Sequence, residues 1–170
     1  MRSSGRIVVF VASLCLMMTP PARGLMAAAG QQDTWTWPVT GPVIRGFDLP
    51  DDPYGPGHRG IDIAVPVGTT IVAPADGTIS FAGPVGGRLF LTIYHGGGVS
   101  STYSWLTANL VKKGDAVIRG QPVALTGWGH PTATVPHLHL GVKLNGAYVD
   151  PMTYLGPVSL AAFVRLAPIP

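Results

Sequence analysis

Glycine and proline recur through nearly the whole chain and leave no room for long helices. The 170 residues include 23 glycines and 17 prolines, and both residue types weaken or interrupt a helix. Short segments of alternating polar and apolar residues lie between them, which is the pattern of half-buried strands. The chain is therefore predicted to be all-β, with an antiparallel sheet or sandwich. Strands are predicted at residues 34–37, 60–64, 69–73, 77–82, 88–94, 99–105, 117–126 and 137–144.

The first 29 residues have the composition of a secretory signal peptide. Arg2 and Arg6 flank an apolar run of about 12 residues at 7–18, which is short of the roughly 20 needed to span a bilayer. Alanines at 27–29 match the small residues of a signal-peptidase site. We expect a leader at 1–29, one domain at 30–153, and a tail at 154–170 with room for a short helix. The mature chain is then secreted to the cell envelope or beyond it, and has no membrane partner.

The predicted mature chain carries no net charge. Three of the eleven basic residues of the full chain lie in the leader, which leaves eight basic residues against eight aspartates in the mature chain, and there is no glutamate. No basic stripe with interleaved aromatic residues is present, so nucleic acid is not an expected partner. The single cysteine, Cys15, also lies in the leader, where Leu14 is larger than the small residue expected before a lipidated cysteine. Thiolate ligands, cysteine nucleophiles and disulfides are therefore excluded from the mature chain.

His58 and Asp62 form the first candidate pair of polar site residues. Their spacing of four suits one helix face, but glycine and proline at 55–57 and glycine at 60 argue against a helix. We instead expect His58 in a turn and Asp62 in the following strand, with its carboxylate opposite the core face of Ile61 and Ile63. A carboxylate beside core-facing isoleucines needs a partner, and a metal ion would supply one.

His137 and His139 form the second pair. They alternate with leucines, so on a strand both imidazoles project from one face, where one can bind metal while the other acts as a base. With His58 and Asp62 they predict three metal ligands and one free imidazole. Three protein ligands leave a fourth position for water, which is the arrangement of a catalytic zinc site.

Several short segments in a shared order resemble the lysostaphin-type (LytM-like) zinc metalloendopeptidases, which cut peptide bonds in bacterial peptidoglycan. The resemblance covers most of the mature chain and implies a barrel-sandwich-like β core with long loops around a groove. It rests on residues 57–63 (GHRGIDI), 66–69 (PVGT), 72–79 (VAPADGTI), 93–96 (IYHG), 111–117 (VKKGDAV), 120–122 (GQP) and 137–142 (HLHLGV).

The resemblance also implies a role for each site residue. His58, Asp62 and His139 correspond to the ligands of one Zn²⁺ ion per chain, and His137 corresponds to the catalytic histidine. The implied function is a secreted endopeptidase acting on the peptide stems or cross-bridges of peptidoglycan. Another cell-wall hydrolase is an additional candidate partner.

One segment departs from the family pattern. Members usually carry a second catalytic histidine in a Tyr-x-His-Leu segment, and residues 103–106 read YSWL, so Trp105 stands in its place. An indole donates a hydrogen bond but does not shuttle a proton, and such acid–base groups contribute about 10²–10⁴-fold in rate. His95, His130 and Tyr103 are the candidates to compensate, with a structural role expected for His95 and a groove position for His130.

Three alternatives to an active peptidase follow from the same residues. Trp105 favours a zinc-binding module that binds peptidoglycan, or regulates another hydrolase, without hydrolysing it. The segments at 72–77 and 113–117 also resemble barrel-sandwich carrier domains, although no lysine occupies a hairpin of the carrier type. Two histidines and one carboxylate can also form the facial triad of a mononuclear iron oxygenase.

Overall fold

The computed structural model describes residues 34–50, 52, 55–131 and 133–156. The predicted signal peptide and the short helix predicted for the tail lie outside these residues, so both stay predictions. Within the described part of the chain, no helix is long and apolar enough to cross a membrane.

The described residues form ten strands and one short 3₁₀ turn at Pro151–Thr153. The strands are β1 (Val43–Arg45), β2 (Ile61–Ala64), β3 (Thr70–Val72), β4 (Gly77–Val85), β5 (Arg88–Gly96), β6 (Val99–Asn109), β7 (Ala116–Val117), β8 (Pro122–Thr126), β9 (His137–Leu144) and β10 (Ala147–Val149).

All strand pairs in the described residues are antiparallel. The order along the sheet is β1-β2-β9-β6-β5-β4-β7, while β10 pairs with β9, and β8 pairs with both β3 and β6. The path does not close into a barrel. Strand β9 pairs with β2, β6 and β10, so it lies at the centre of the arrangement. The predicted all-β antiparallel class is confirmed.

The core lies on one face of β2 and β9, where alternating aliphatic residues are inaccessible to solvent. Ile61 pairs with Leu140 and Ile63 pairs with Leu138, and all four side chains are 0% exposed. Burying each of them stabilises the fold by roughly 1.5–3 kcal/mol relative to leaving it in water. The residues between them therefore project from the opposite face.

Two strand predictions differ from the structure, and two short strands were not predicted. At 34–37 only Trp35 bridges, in parallel with Leu155, because Pro38 follows and no neighbouring strand continues the ladder. The single strand predicted at 117–126 is two strands, since the chain turns at Gly120, whose φ is +80°. The short strands β1 and β10 were not predicted, because three residues carry too little alternation to detect.

His95 has the structural role expected of it. Its Nδ1–H donates to the Asp76 carbonyl at 2.8 Å, and its Nε2 accepts from the Ser101 hydroxyl at 2.8 Å. Its ring lies 4.6 Å from the Trp35 ring, between centroids. The side chain thus ties β5 to β6 and to the segment before β4.

Two glycines leave room for the histidines of β9. A Cβ on Gly60 would lie 2.9 Å from Cε1 and Nε2 of His139, and one on Gly129 would lie 2.5 Å from Nε2 of His137. Real side chains do not approach this closely. Both glycines are therefore required by the imidazoles beside them, and Gly129 additionally has a φ of +100°.

Replacing Gly129 with alanine is expected to destabilise the protein more than replacing Gly120. Both glycines have a positive φ, so each alanine adds about 1–2 kcal/mol of backbone strain. Only at Gly129 does the new methyl group also meet the His137 ring, which adds about 1–3 kcal/mol of overpacking. Urea unfolding of both variants in a chelating buffer measures the difference. Equal losses of stability in the two variants would show that the His137 ring moves aside without a loss of free energy.

His95 is expected to make stability fall in mild acid. Burial lowers the pKa of His95 below its ordinary value of 6.5, although its hydrogen bond to the Asp76 carbonyl opposes this. Below about pH 6.5 the unfolded chain therefore binds a proton that the folded chain excludes, so stability decreases as pH decreases.

The variant His95→Phe tests this. It is expected to lose about 1–3 kcal/mol near neutral pH, because it leaves the Asp76 carbonyl and the Ser101 hydroxyl without their partner. Its stability should also fall less between about pH 7.5 and about pH 5.5 than that of the parent protein. Denaturant unfolding at both pH values checks this, and an identical fall in both proteins would contradict it.

Candidate metal centre

The β2–β9 ladder brings the first two site residues together. Asp62 is the cross-strand partner of His139, and Ala64 is the partner of His137. The side chains of Asp62, His137 and His139 share the face opposite the aliphatic core, as the alternation predicted. Asp62 Oδ1 lies 2.9 Å from His139 Nδ1. The contact therefore follows directly from strand register.

His58 reaches the same point from the segment before β2. Its backbone bridges Asp48, and its Nδ1–H donates to the Gly46 carbonyl at 2.7 Å. In the neutral ring, Nε2 then carries a lone pair, and it lies 3.0 Å from Asp62 Oδ1 and 3.1 Å from His139 Nδ1. A carbonyl that orients the far nitrogen of a histidine is typical of metal-binding imidazoles.

The three donor atoms of His58, Asp62 and His139 form a set suited to a divalent cation. Two imidazole nitrogens and a carboxylate oxygen lie within about 3 Å of one another, and His58 and Asp62 are each only 3% exposed. Lone pairs held this close repel each other unless a positive charge lies among them. The residues predicted as ligands are therefore brought together in an arrangement that could hold a metal ion.

The charge of Asp62 is strongly favoured in this setting. Burial raises the pKa of Asp62, but its contacts with His139 and His58 outweigh burial and hold the pKa well below its ordinary range. The carboxylate is therefore ionised throughout the neutral range and provides the negative charge that a cation requires.

His137 lies beside the three donors. Its Nδ1–H donates to the Val135 carbonyl at 2.9 Å, which leaves Nε2 as the acceptor nitrogen. That Nε2 lies 3.7 Å from Asp62 Oδ2 and receives the backbone N–H of His130 at 3.4 Å. His137 is 3% exposed. It is therefore a buried imidazole with a fixed tautomer and its basic nitrogen towards the site.

A fourth histidine, His130, also reaches the donor set. One ligand atom from each of His58, Asp62, His130 and His139 lies within 4.8 Å of all the others. Burial lowers the pKa of His130, while the charge of Asp62 opposes this, so the neutral ring is favoured. The sequence predicts only a groove position for His130, because the path of the connection between β8 and β9 does not follow from residue spacing. A histidine in the connection that leads into the His137-x-His139 strand was the signal available.

The other residues considered as compensating groups lie elsewhere. Tyr103 is 0% exposed, and burial raises the pKa of its hydroxyl. His95 is hydrogen-bonded as described above. Trp105 is partly buried with a φ of +63°, and its ring centroid lies 5.8 Å from that of His130. Among the three compensating candidates His95, His130 and Tyr103, only His130 brings a titratable group to the donor set.

Two cavities meet at His130. One, of about 370 Å³, also contains Arg45, Asp62 and His137. The other, also about 370 Å³, contains Arg88, Trp105 and Trp128. The His130 side chain forms part of the wall of both. An extended ligand that contacts Asp62 in the first cavity could therefore continue past His130 into the second.

Comparison with known proteins places this arrangement in a family. The model for peptidase family M23 matches residues 56–151, more than half of the chain. An uncharacterized metalloprotease of Haemophilus influenzae is 39% identical over 98 residues, which cover 56% of this chain and 20% of the relative. The murein hydrolase activator NlpD of Escherichia coli is 34% identical over 124 residues, which cover 72% of this chain and 31% of the relative.

An uncharacterized protein of Mycobacterium tuberculosis is 32% identical over 140 residues, which cover 78% of this chain and 54% of the relative. The chain thus spans between about a fifth and about half of the length of the curated relatives it matches.

Solved structures share the fold. A zinc-containing peptidase from Vibrio cholerae superposes with a TM-score of 0.57 at 31% identity, covering 70% of this chain and 39% of that one. The catalytic domain of the antimicrobial peptidase lysostaphin from Staphylococcus simulans superposes with a TM-score of 0.56 at 28% identity, covering 64% and 87%. The family match extends over His58, Asp62, His130, His137 and His139. The resemblance drawn from the sequence motifs is confirmed, and the chain belongs to peptidase family M23, in its lysostaphin-type (LytM-like) group.

Proposed function

We propose that this chain is a secreted zinc metalloendopeptidase that hydrolyses peptide bonds in the stems or cross-bridges of bacterial peptidoglycan. The observation that carries the proposal is the convergence of His58, Asp62 and His139, with the acceptor nitrogen of His137 beside them. Membership of the M23 peptidases and the likeness to a zinc-containing peptidase support it. The predicted leader and the cell-wall relatives support an extracytoplasmic location.

His58 Nε2, Asp62 Oδ1 and His139 Nδ1 would hold one zinc ion per chain. The residues fit this ion, because two imidazoles and one carboxylate form a common ligand set of catalytic zinc. When bound, zinc lowers the pKa of water towards neutrality and polarises the carbonyl to be cleaved.

His137 would move the proton in this reaction. Its Nδ1–H is held by the Val135 carbonyl, so Nε2 can accept a proton and the ring can carry the charge without rotating. Nε2 would take a proton from the attacking water and return it to the leaving amine. Asp62, ionised and 3.7 Å from this nitrogen, would stabilise the protonated ring.

The two cavities would bind the peptide on either side of the reacting bond. Arg45 lies in one and Arg88 in the other. Peptidoglycan stems carry free carboxylates, which a guanidinium can bind through paired hydrogen bonds. The arrangement therefore suits an anionic peptide lying across the donor set.

Trp105 favours a second candidate function, in which the chain binds peptidoglycan or regulates another hydrolase without cutting. Its indole lies next to His130 and offers no proton-transfer group. The chain is similar to the murein hydrolase activator NlpD, which supports a regulatory role. Both candidates share the proposed zinc site and differ in whether a peptide bond is broken.

Zinc content tests the common part of both candidates. Protein purified without chelator is expected to contain about one zinc per chain, and Asp62→Ala is expected to contain far less, because it removes the only carboxylate of the donor set. Elemental analysis measures both. Since removing a buried charge can alter folding, circular dichroism of the variant serves as the control. Absence of zinc from the parent protein would overturn the proposal.

Substitution of Trp105 tests whether hydrolysis is limited by a missing proton-transfer group. Trp105→His is expected to release new amines from purified sacculi about 10²–10⁴-fold faster than the parent protein. The matched control is Trp105→Asn, because asparagine also tolerates the positive φ at this position but cannot titrate. Equal rates in the two variants would show that an imidazole here adds nothing. Parent protein that binds sacculi without releasing amines favours the regulatory candidate.

A further inference from the structure

His130 lies at the donor set although it belongs to none of the strands that build it. It occupies the connection between β8 and β9, and its Nε2 lies 3.4 Å from Asp62 Oδ1. Four donors at zinc–ligand distances of about 2.0–2.1 Å in a tetrahedron are separated by roughly 3.3–3.4 Å. The 3.4 Å distance between His130 Nε2 and Asp62 Oδ1 matches the separation of two donors in such a tetrahedron.

The nitrogen of His130 is buried without a hydrogen-bond partner among the described residues. Its side chain is 27% exposed, yet Nε2 itself is inaccessible and its contact with Asp62 lacks hydrogen-bond alignment. A buried polar atom left in this state destabilises the folded protein. A cation among the four donors would accept its lone pair and remove that cost.

The surroundings hold the ring in this orientation. Its centroid lies 5.1 Å from that of His137, 5.0 Å from that of His139 and 6.0 Å from that of His58, and Trp105 lies on a further side. The His130 carbonyl also accepts the Ala133 N–H at 2.9 Å. The position of the ring is therefore set by packing and not only by its charge.

His137 provides a contrast within the same site. It lies outside the four-residue donor group, and its Nε2 already accepts the backbone N–H of His130. The two histidines beside the predicted ligands thus have different geometries. His137 offers a nitrogen for proton transfer, whereas His130 offers one to the ion.

We propose that His130 is a fourth protein ligand of the zinc ion, which closes the resting site to water and to substrate. This rests on the zinc site of the proposed function. Zinc sites with four protein ligands are typically structural, whereas catalytic sites keep a position open. Hydrolysis by this chain therefore requires His130 to leave the ion, and the balance between the ligated and released states sets its activity.

The test compares His130→Ala with the control His137→Ala in the full chain. Zinc affinity is measured by chelator competition, and the visible spectrum of the cobalt-substituted protein is recorded with and without azide. Loss of a ligand should weaken zinc binding by more than about 100-fold, whereas loss of a neighbouring group costs about 10–100-fold. Azide should change the cobalt spectrum of His130→Ala, which has an open position, and should leave that of the parent protein unchanged.

The outcomes separate this inference from the proposed function. Parent protein that binds no zinc overturns the zinc site itself. The ligand role of His130 alone is overturned by a different result. In that result the parent protein binds zinc and its cobalt spectrum already responds to azide, and the zinc affinity of His130→Ala is no weaker than that of His137→Ala. Thermal unfolding of the metal-free variants confirms that each one folds. A His130→Ala variant that retains zinc affinity but loses cleavage would make His130 a proton-transfer residue and would also overturn the inference.

Discussion

The pairing of β2 with β9 is the constraint on which the rest of the site depends. One register places Ile61 and Ile63 opposite Leu140 and Leu138 in the core, and the same register places Asp62 opposite His139 on the other face. A shift of one residue would send the charged face into the core, so the hydrophobic contacts also specify the polar ones. The register of β2 against β9 therefore sets both the core packing and the geometry of the site.

The remaining donors arrive on connecting segments, and the structure holds each by a specific contact. His58 is oriented by the Gly46 carbonyl, and His130 by the rings around it. Strand-borne donors are set by the sheet, whereas loop-borne donors can be displaced without breaking it. This difference gives the proposed fourth ligand its physical basis, since His130 can leave the ion while Asp62 and His139 stay in place.

Trp105 and His130 are neighbours at one edge of the donor set. Trp105 follows the end of the β6–β9 pairing, at the position where the resemblance implies a second catalytic histidine, and the His130 imidazole from another segment lies against it. Four histidines lie around Asp62. The number of imidazoles alone does not decide the chemistry, because their distances from the donor set differ.

Alternation and turn residues in the sequence were sufficient to predict the all-β class, most strands, and the shared face of Asp62, His137 and His139, because each of these depends on neighbours two residues away. The family resemblance assigned roles to them. The sequence could not place His130, because a loop path depends on contacts with distant residues. Strands β1 and β10 were missed because three residues carry too little alternation to detect, and the predicted strand at 117–126 is broken by a turn at Gly120. Local periodicity therefore determined which faces the strands present, and only tertiary packing decided which loop side chain meets the donors they carry.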